Sequence, residues 1–427
     1  MIEFVKFKRG KELLEFPKEP VVIEGNAFLP QRAFIPIDYS DSQRIFPSIS
    51  RGEVVKDGQP IAFSNGDEPA NVHSSIPGNV YDFVSFDFPK GKKLYTAAVR
   101  LEGSFNILGK PLSNYSWKES SQSDLMNIID SAGILNTGNK DPVSLAYELV
   151  SASKKGIKTV CINLFDNDLS CNLDSILFEK FAEKTAEGAG IIAKALNADS
   201  IICIYKSGKS DIKNLEQIFS LCQGIKINFV KANDTYPVIE KFNLKSIKNA
   251  VNIDISTAIY TCDAVRTNNP LIDIYVLITG KALNTPKILK VKIGTPIGNL
   301  IEECGGFKTK PEHIIINGLM QGFTADNLDI PVTKFLKSIS VFSKESIKPF
   351  QVQECINCGL CFNSCPLYLE PKKIVRNIEK NVIDEEILHY INICKNCACC
   401  SSCCPARIPL SAIIADTKEK LIKGNIL

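Results

Sequence analysis

Ten of the chain's 16 cysteines fall in its last 73 residues, and their spacing implies a definite chemistry. The stretch CINCGLCFNSCP places Cys355, Cys358, Cys361 and Cys365 ahead of Pro366, a C-x2-C-x2-C-x3-C-P run. In bacterial ferredoxin-type sites that run wraps a [4Fe-4S] cubane. Three thiolates grip one face from a tight loop, and the fourth leaves on a proline-started helix to ligate the neighbouring cluster. CKNCACCSSCCP repeats the pattern with Cys394, Cys397, Cys400 and Cys404, followed by Pro405, and leaves Cys399 and Cys403 out of register. A zinc ribbon would use C-x2-C pairs across a long spacer and has no use for the third cysteine or the C-P step. Two [4Fe-4S] clusters are therefore expected. By the usual exchange of fourth ligands, one lies on Cys355, Cys358, Cys361 and Cys404, the other on Cys394, Cys397, Cys400 and Cys365. Cys399 and Cys403 read either as small buried thiols or as alternative ligands or redox-sensitive thiols.

Two close one-electron centres form a wire rather than a catalyst, and no catalytic side chain is assigned. Leu360, Phe362, Tyr368, Ile393 and Ala398 are expected to keep water off the sulfurs. The other six cysteines, Cys161, Cys171, Cys203, Cys222, Cys262 and Cys304, sit in apolar stretches and read as buried small hydrophobes.

Several kinds of element must position this module. At 427 residues the chain should divide into about three or four domains. Its 44% hydrophobic and 23% charged residues are those of a folded soluble protein. A formal charge of +3, without a Lys/Arg stripe bearing interleaved aromatics, gives no reason to expect nucleic acid. The N-terminus lacks the apolar core of a secretory signal, and the longest apolar stretch is broken by Lys194 and Asp199. No membrane span is expected. The chain is placed in the cytoplasm, or peripherally on the cytoplasmic face of the inner membrane through partners; reduced thiols suit that setting.

Residues 1–110 read as short strands punctuated by RGEVVKDGQP, SNGDEPAN and IPGNV. Residues 111–268 alternate apolar runs (KTVCINLF, DSIICIYKS, IKINFVKA) with helical stretches, a βαβ rhythm that predicts a mainly parallel, Rossmann-like sheet. Residues 269–342 return to strands, then one helix ending on the Gly305–Gly306 pair. Residues 343–427 are helical between the cysteine loops.

At this point the chain resembles a known family. VLITGKALNTPKILKVKIGTPIGNLIEECGGF looks like an SLBB module, a small β-grasp-like unit, and VVKDGQPIAFSNGDEPANVHSSIPGNV looks like barrel-sandwich hairpins. With an α/β domain between them and the doubled cysteine motif behind, the order is similar to that of the RnfC family, whose members are the RnfC component of the Rnf electron-transport complex. The resemblance implies a multidomain α/β and α+β fold. Its parts are a barrel-sandwich-like domain (1–110), a Rossmann-like domain (111–268), an SLBB-like module (269–342) and a double-cluster ferredoxin-like domain (343–427). It also implies protein redox partners within a complex, and NADH reducing FMN on the α/β domain.

For the flavin the sequence departs from the family. Where the family carries a GxGGAGFPT-type loop, this chain reads SAGILNTGNKDPVSLAYEL, leaving Gly133 and Gly138. Backbone approach to a flavin phosphate needs those small residues. The family's NGAECEP-type stretch becomes NLFDNDLS, with Asp166 and Asp168 as remnants; a YPxGGE-like segment becomes TYPVIEKFN, and a GGPMMG-like turn becomes NGLMQG. A lost or altered FMN/NADH site is expected, with Gly133, Gly138, Asp166 and Asp168 as its vestige. His73 reads as a hydrogen-bonded structural residue, Lys56 lacks the hairpin-tip context of a lipoyl acceptor, and His313 and His389 have no legible partners.

Three functions are compatible with these residues. One is an RnfC-like electron relay with a degenerate head. Another is an FMN-containing NADH:acceptor oxidoreductase subunit, in an Rnf complex or feeding a soluble reductase such as cobalamin or proline reductase. The third is a non-catalytic assembly subunit with structural clusters.

Overall fold

A computed structural model describes residues 21–38, 45–64, 70–88, 92–105, 115–139, 142–166, 168, 170–206, 212–222, 224–232, 236, 249–346 and 351–422. Near the N-terminus an antiparallel sheet runs in the order Arg32–Asp38, Lys92–Leu101, Gly78–Phe88, Val54–Val55. A three-stranded sheet of Ile45–Pro47, Pro60–Ser64 and Val72–His73 accompanies it. Alternating inward residues such as Ile35, Ile37, Val80 and Val99 form its separate core.

The α/β part has four parallel strands in the order Lys226–Ala232, Ser200–Lys206, Thr159–Asn163, Val251–Asp254. Their apolar runs are buried because helices cover them. The helix Leu173–Leu196 is the longest described, and it packs against the helix Ile255–Thr267. Gly188 makes that approach possible, since a Cβ there would collide with the backbone of Ala258. The two helices end alike but start differently, since Asn172 makes no side-chain cap bond. Asp254 caps Ile255–Thr267 through Thr257 N at 2.8 Å, and Asn197 and Asn268 close the two C-termini in the left-handed region.

A six-stranded mixed sheet follows, ordered Ile23–Asn26, Lys287–Lys292, Asp273–Thr279, Ser338–Ser343, Pro311–Ile316, Phe323–Thr324, with the helix Ile297–Glu303 beside it. Its edge strand, Ile23–Asn26, comes from the N-terminal region and pairs in parallel with Lys287–Lys292. The strand Ile23–Asn26 thus joins a sheet whose other strands all lie beyond residue 272. IEGN is mostly exposed and carries no apolar alternation, so its partner is chosen by long-range pairing rather than by local pattern. The N-terminal sheet is further tied to this one by Phe34 N donating to Gly294 O at 2.8 Å and Ser75 Oγ to Ile293 O at 2.5 Å.

The C-terminal region is built from the short helices Leu360–Asn363 and Cys399–Ser402 and the longer helices Pro371–Glu379, Glu385–Ile393 and Leu410–Ile422. A core of Leu369, Ile374, Val375, Ile387, Ile391, Leu410 and Ile414 holds them together.

Candidate iron–sulfur site

The two cysteine loops have the same backbone, 39 residues apart. Asn357 and Asn396 both turn left-handed, at φ 56° and 48°. Gly359 and Ala398 do so at 73° and 63° as the N-caps of the two one-turn helices, and Tyr368 and Arg407 follow at 55° each. A side chain in this region costs about 1 kcal/mol, so a recurrence at three positions marks a built repeat and not a loose loop. The repeat sets the register independently of the cysteine spacing. Cys355, Cys358, Cys361 and Cys365 correspond to Cys394, Cys397, Cys400 and Cys404, whereas Cys399 matches Leu360 and Cys403 matches Ser364.

The one-turn helices pack on each other, so each loop's last cysteine enters the other loop's cavity. Cys355, Cys358, Cys361 and Cys404 line the first cavity, of about 590 Å³. Cys394, Cys397, Cys400 and Cys365 line the second, together with Cys399. The second is small, at about 20 Å³, and on its lining Cys397 Sγ lies 3.3 Å from Cys399 Sγ. Among the described residues no three Cys, His, Asp or Glu side chains converge tightly enough for a single metal ion. A ring of four thiols around a wider cavity is instead the donor set a cubane needs, and the first cavity has room for one. The second has the donors, with Cys397 turned toward Cys399.

Backbone N–H groups reach two of the sulfurs. Leu369 N donates to Cys365 Sγ at 3.3 Å and Asn396 N to Cys394 Sγ at 3.4 Å. Lys418 Nζ anchors the second loop on Asn392 O (2.6 Å) and Cys394 O (3.2 Å). Burial pushes the Cys361 and Cys365 thiols up and that of Cys403 to about 11. Cys403 Sγ and Ser364 Oγ, equivalent positions of the repeat, meet at 3.1 Å where the loops cross. Cys399 is fully buried against Tyr236. The six scattered cysteines are all buried, as their apolar settings predict.

The residues expected as a flavin vestige have other engagements. A Cβ at Gly133 (φ 67°) would collide with Asn71 O, and one at Gly138 with the backbone of Ile253. Thr137, between them in the loop, donates to Asp254 Oδ2 at 2.6 Å. Asp166 accepts from Asp174 N, Ser175 N and Ser175 Oγ at 2.8, 3.1 and 2.6 Å; burial and then the Asp174 charge push its carboxyl up to about 6. Asp168 accepts from Met320 N and Gln321 N at 2.9 and 3.1 Å, holding the NGLMQG turn. Lys337 enters at the carboxyl ends of the parallel strands and bonds Asp174 and Asp254, each at 2.5 Å. Of TYPVIEKFN only Tyr236 is among the described residues. His73 is buried on a strand, its Nδ1 without a hydrogen-bond partner among the described residues. Burial, then the Lys334 charge, pushes it down to about 3.

Tyr236 had no signal in the sequence. Its hydroxyl donates to Cys397 O at 3.0 Å and accepts from Gln321 Nε2 at 2.9 Å, joining the Asp168-held turn to the second cysteine loop. The cationic side of the first cavity does carry a signal: Lys372, Arg376 and Lys380 recur every four residues.

Comparison with known proteins agrees with this architecture. The RnfC barrel sandwich hybrid domain model matches residues 17–104, and the SLBB domain model matches residues 275–324. The C subunit of the proton-translocating ferredoxin:NAD(+) oxidoreductase complex of Clostridium ljungdahlii is 29% identical over 373 residues, covering 84% of this chain and 80% of that protein. The chain is RnfC-like. A second relative of this RnfC-like chain is the C subunit of the Na(+)-translocating ferredoxin:NAD(+) oxidoreductase complex of Acetobacterium woodii, 26% identical over 83% of each chain. Among solved structures, NAD+-reducing [NiFe]-hydrogenase in the H2-reduced state aligns with a TM-score of 0.49 at 12% identity, over 75% of this chain and 66% of that one.

Proposed function

We propose that this RnfC-like chain relays electrons between a redox partner and an enzyme or membrane complex through two [4Fe-4S] clusters in a ferredoxin-like C-terminal domain. Cys355, Cys358, Cys361 and Cys404 hold one, and Cys394, Cys397, Cys400 and Cys365 the other. The observation that carries this reading is that Cys404 lines the first loop's cavity and Cys365 the second loop's, between two loops that repeat three left-handed positions, so that each cavity carries its four in-register thiols. When bound, such clusters supply one-electron transfer. The chain's own part is to keep two centres side by side, as the Ser364–Cys403 crossing does, and to point N–H donors at the sulfurs.

The relatives are named as subunits of ion-translocating ferredoxin:NAD(+) oxidoreductase complexes, and we carry membership of such a complex over to this chain. No helix among the described residues is long and apolar enough to cross a membrane, so attachment would be peripheral, through partner proteins. The FMN/NADH head is read as altered. Gly133 and Gly138 serve close packing, Asp166 and Asp168 are occupied by backbone donors, and Lys337 fills the strand ends where an open α/β sheet takes its ligand. An FMN-containing protein is the competing reading, and the relatives' NAD(+)-linked names favour it. Anaerobic purification with flavin analysis separates the two. The altered head predicts substoichiometric flavin and no bleaching of the clusters by NADH alone; one FMN per chain with direct bleaching contradicts it.

A further inference from the structure

Tyr236 fastens the second cysteine loop to the rest of the fold. It is buried, and it packs with Met320, Cys397 and Cys399. Gln321 Nε2 donates to its hydroxyl at 2.9 Å, so the hydroxyl's own proton is left for Cys397 O, 3.0 Å away. The Gln321 end is itself held. Asp168 Oδ2 accepts from Met320 N and Gln321 N at 2.9 and 3.1 Å, and Ser170 Oγ accepts from Leu319 N at 2.7 Å. The Tyr236 carbonyl faces the same loop, 3.8 Å from Cys399 Sγ. In the first repeat the position of Cys397 is taken by Cys358, which is exposed. Two ligands at the same place in the repeat therefore sit in unlike surroundings, one in water and one under a donated O–H.

We infer that Tyr236 is a positioning residue for the second cluster: its O–H, aimed at the carbonyl of Cys397, holds that ligand's backbone in place and favours the reduced state of the site. The inference deepens the relay reading and rests on it. Reduction adds one negative charge to the ring of Cys394, Cys397, Cys400 and Cys365. A hydroxyl proton directed at a ligand's peptide presents its positive end to that charge, and the Gln321 bond has already fixed its direction. Potentials of such sites follow their hydrogen bonds, and partners one shell out from the ligands govern how firmly the metal is kept. Removing the hydroxyl takes away both the positive pole and the restraint on Cys397. The second site then becomes harder to reduce and quicker to lose iron, while the first, which Tyr236 does not touch, stays as it was.

The test uses the full chain, purified anaerobically. Tyr236→Phe keeps the buried ring and removes only the hydroxyl. Gln321→Leu leaves the hydroxyl on Cys397 O and removes the group that orients it. Each is made in a Cys358→Ser background, which isolates the second centre, and in a Cys397→Ser background, which isolates the first. Redox titration followed by electron paramagnetic resonance reads each centre. At a fixed solution potential, the oxidised-to-reduced ratio of the second centre should rise by about two-fold or more in Tyr236→Phe and by less in Gln321→Leu, with no change at the first. Loss of iron from the second centre to a chelator should quicken by about ten-fold in Tyr236→Phe. An iron-replete Tyr236→Phe chain whose second centre keeps its potential makes the residue an anchor between parts of the fold and nothing more, which overturns the inference and leaves the relay standing. An equal shift at both centres overturns it too. A wild-type chain without iron sinks both readings.

Discussion

Ala398 adopts the left-handed backbone that Gly359 adopts in the first loop, and it does so with a Cβ. Nothing lies within 4 Å of a Cβ built on Gly359, so the cost of a side chain there is conformational alone. Ala398→Gly should stabilise the C-terminal region by about 1 kcal/mol, and Gly359→Ala should destabilise it by a similar amount. Amide hydrogen exchange across residues 351–422 reads both changes. The same register assigns the out-of-phase thiols. Cys399 stands where the first repeat has Leu360, and Cys403 where it has Ser364. Cys399→Ser and Cys403→Ser should therefore keep about eight iron atoms per chain, whereas Cys358→Ser or Cys397→Ser should lose or convert one cluster and loosen the surrounding helices. At this scale the C-x2-C-x2-C-x3-C-P spacing picked out eight cysteines that the fold places on the linings of two cavities. Tyr236 was not legible, because its partners lie 85 and 161 residues away and no periodicity marks them.

Among the elements, the parallel strands end on a buried ion network. Lys337, from the loop before the strand Ser338–Ser343, sits between Asp174 at the start of one helix and Asp254 at the cap of another. The two acids hold its ammonium charged well above the usual lysine range, although burial opposes this. Lys337→Met leaves two buried carboxylates without their cation. It should destabilise the α/β region by about 3–5 kcal/mol, read by urea denaturation; a loss under 1 kcal/mol would contradict the account. The helices and strands themselves were legible, since KTVCINLF and DSIICIYKS are continuous apolar runs of the kind that parallel sheets bury. What fills the strand ends was not, because Lys337 arrives from an element more than 80 residues downstream.

Across the whole molecule, Lys334 joins three parts of the fold. Its buried ammonium donates to Asn71 O of the N-terminal region and to Gly133 O after the first helix, both at 2.7 Å, from a loop of the six-stranded unit. Burial pushes it down to about 7 from an ordinary 10.5. Between those values the unfolded chain holds a proton that the folded chain has released, so stability rises with pH across that window. Relative to the wild type, Lys334→Met should therefore gain stability as pH falls from about 10 to 7, and a gap in apparent Tm that stays constant with pH would contradict this. The barrel-sandwich and SLBB modules were legible through the resemblance of VVKDGQPIAFSNGDEPANVHSSIPGNV and VLITGKALNTPKILKVKIGTPIGNLIEECGGF, and the family models match residues 17–104 and 275–324. The parallel edge strand Ile23–Asn26 was not, as pairing across more than 260 residues leaves no local pattern.

The central claim is a two-cluster relay, and anaerobic iron analysis with electron paramagnetic resonance of the dithionite-reduced full chain tests it most directly. The account predicts about eight iron atoms per chain and a spectrum broadened by two interacting reduced [4Fe-4S] centres, which becomes the signal of one isolated centre in Cys358→Ser or Cys397→Ser. Four or fewer iron atoms in the wild type, or a non-interacting spectrum, would contradict it.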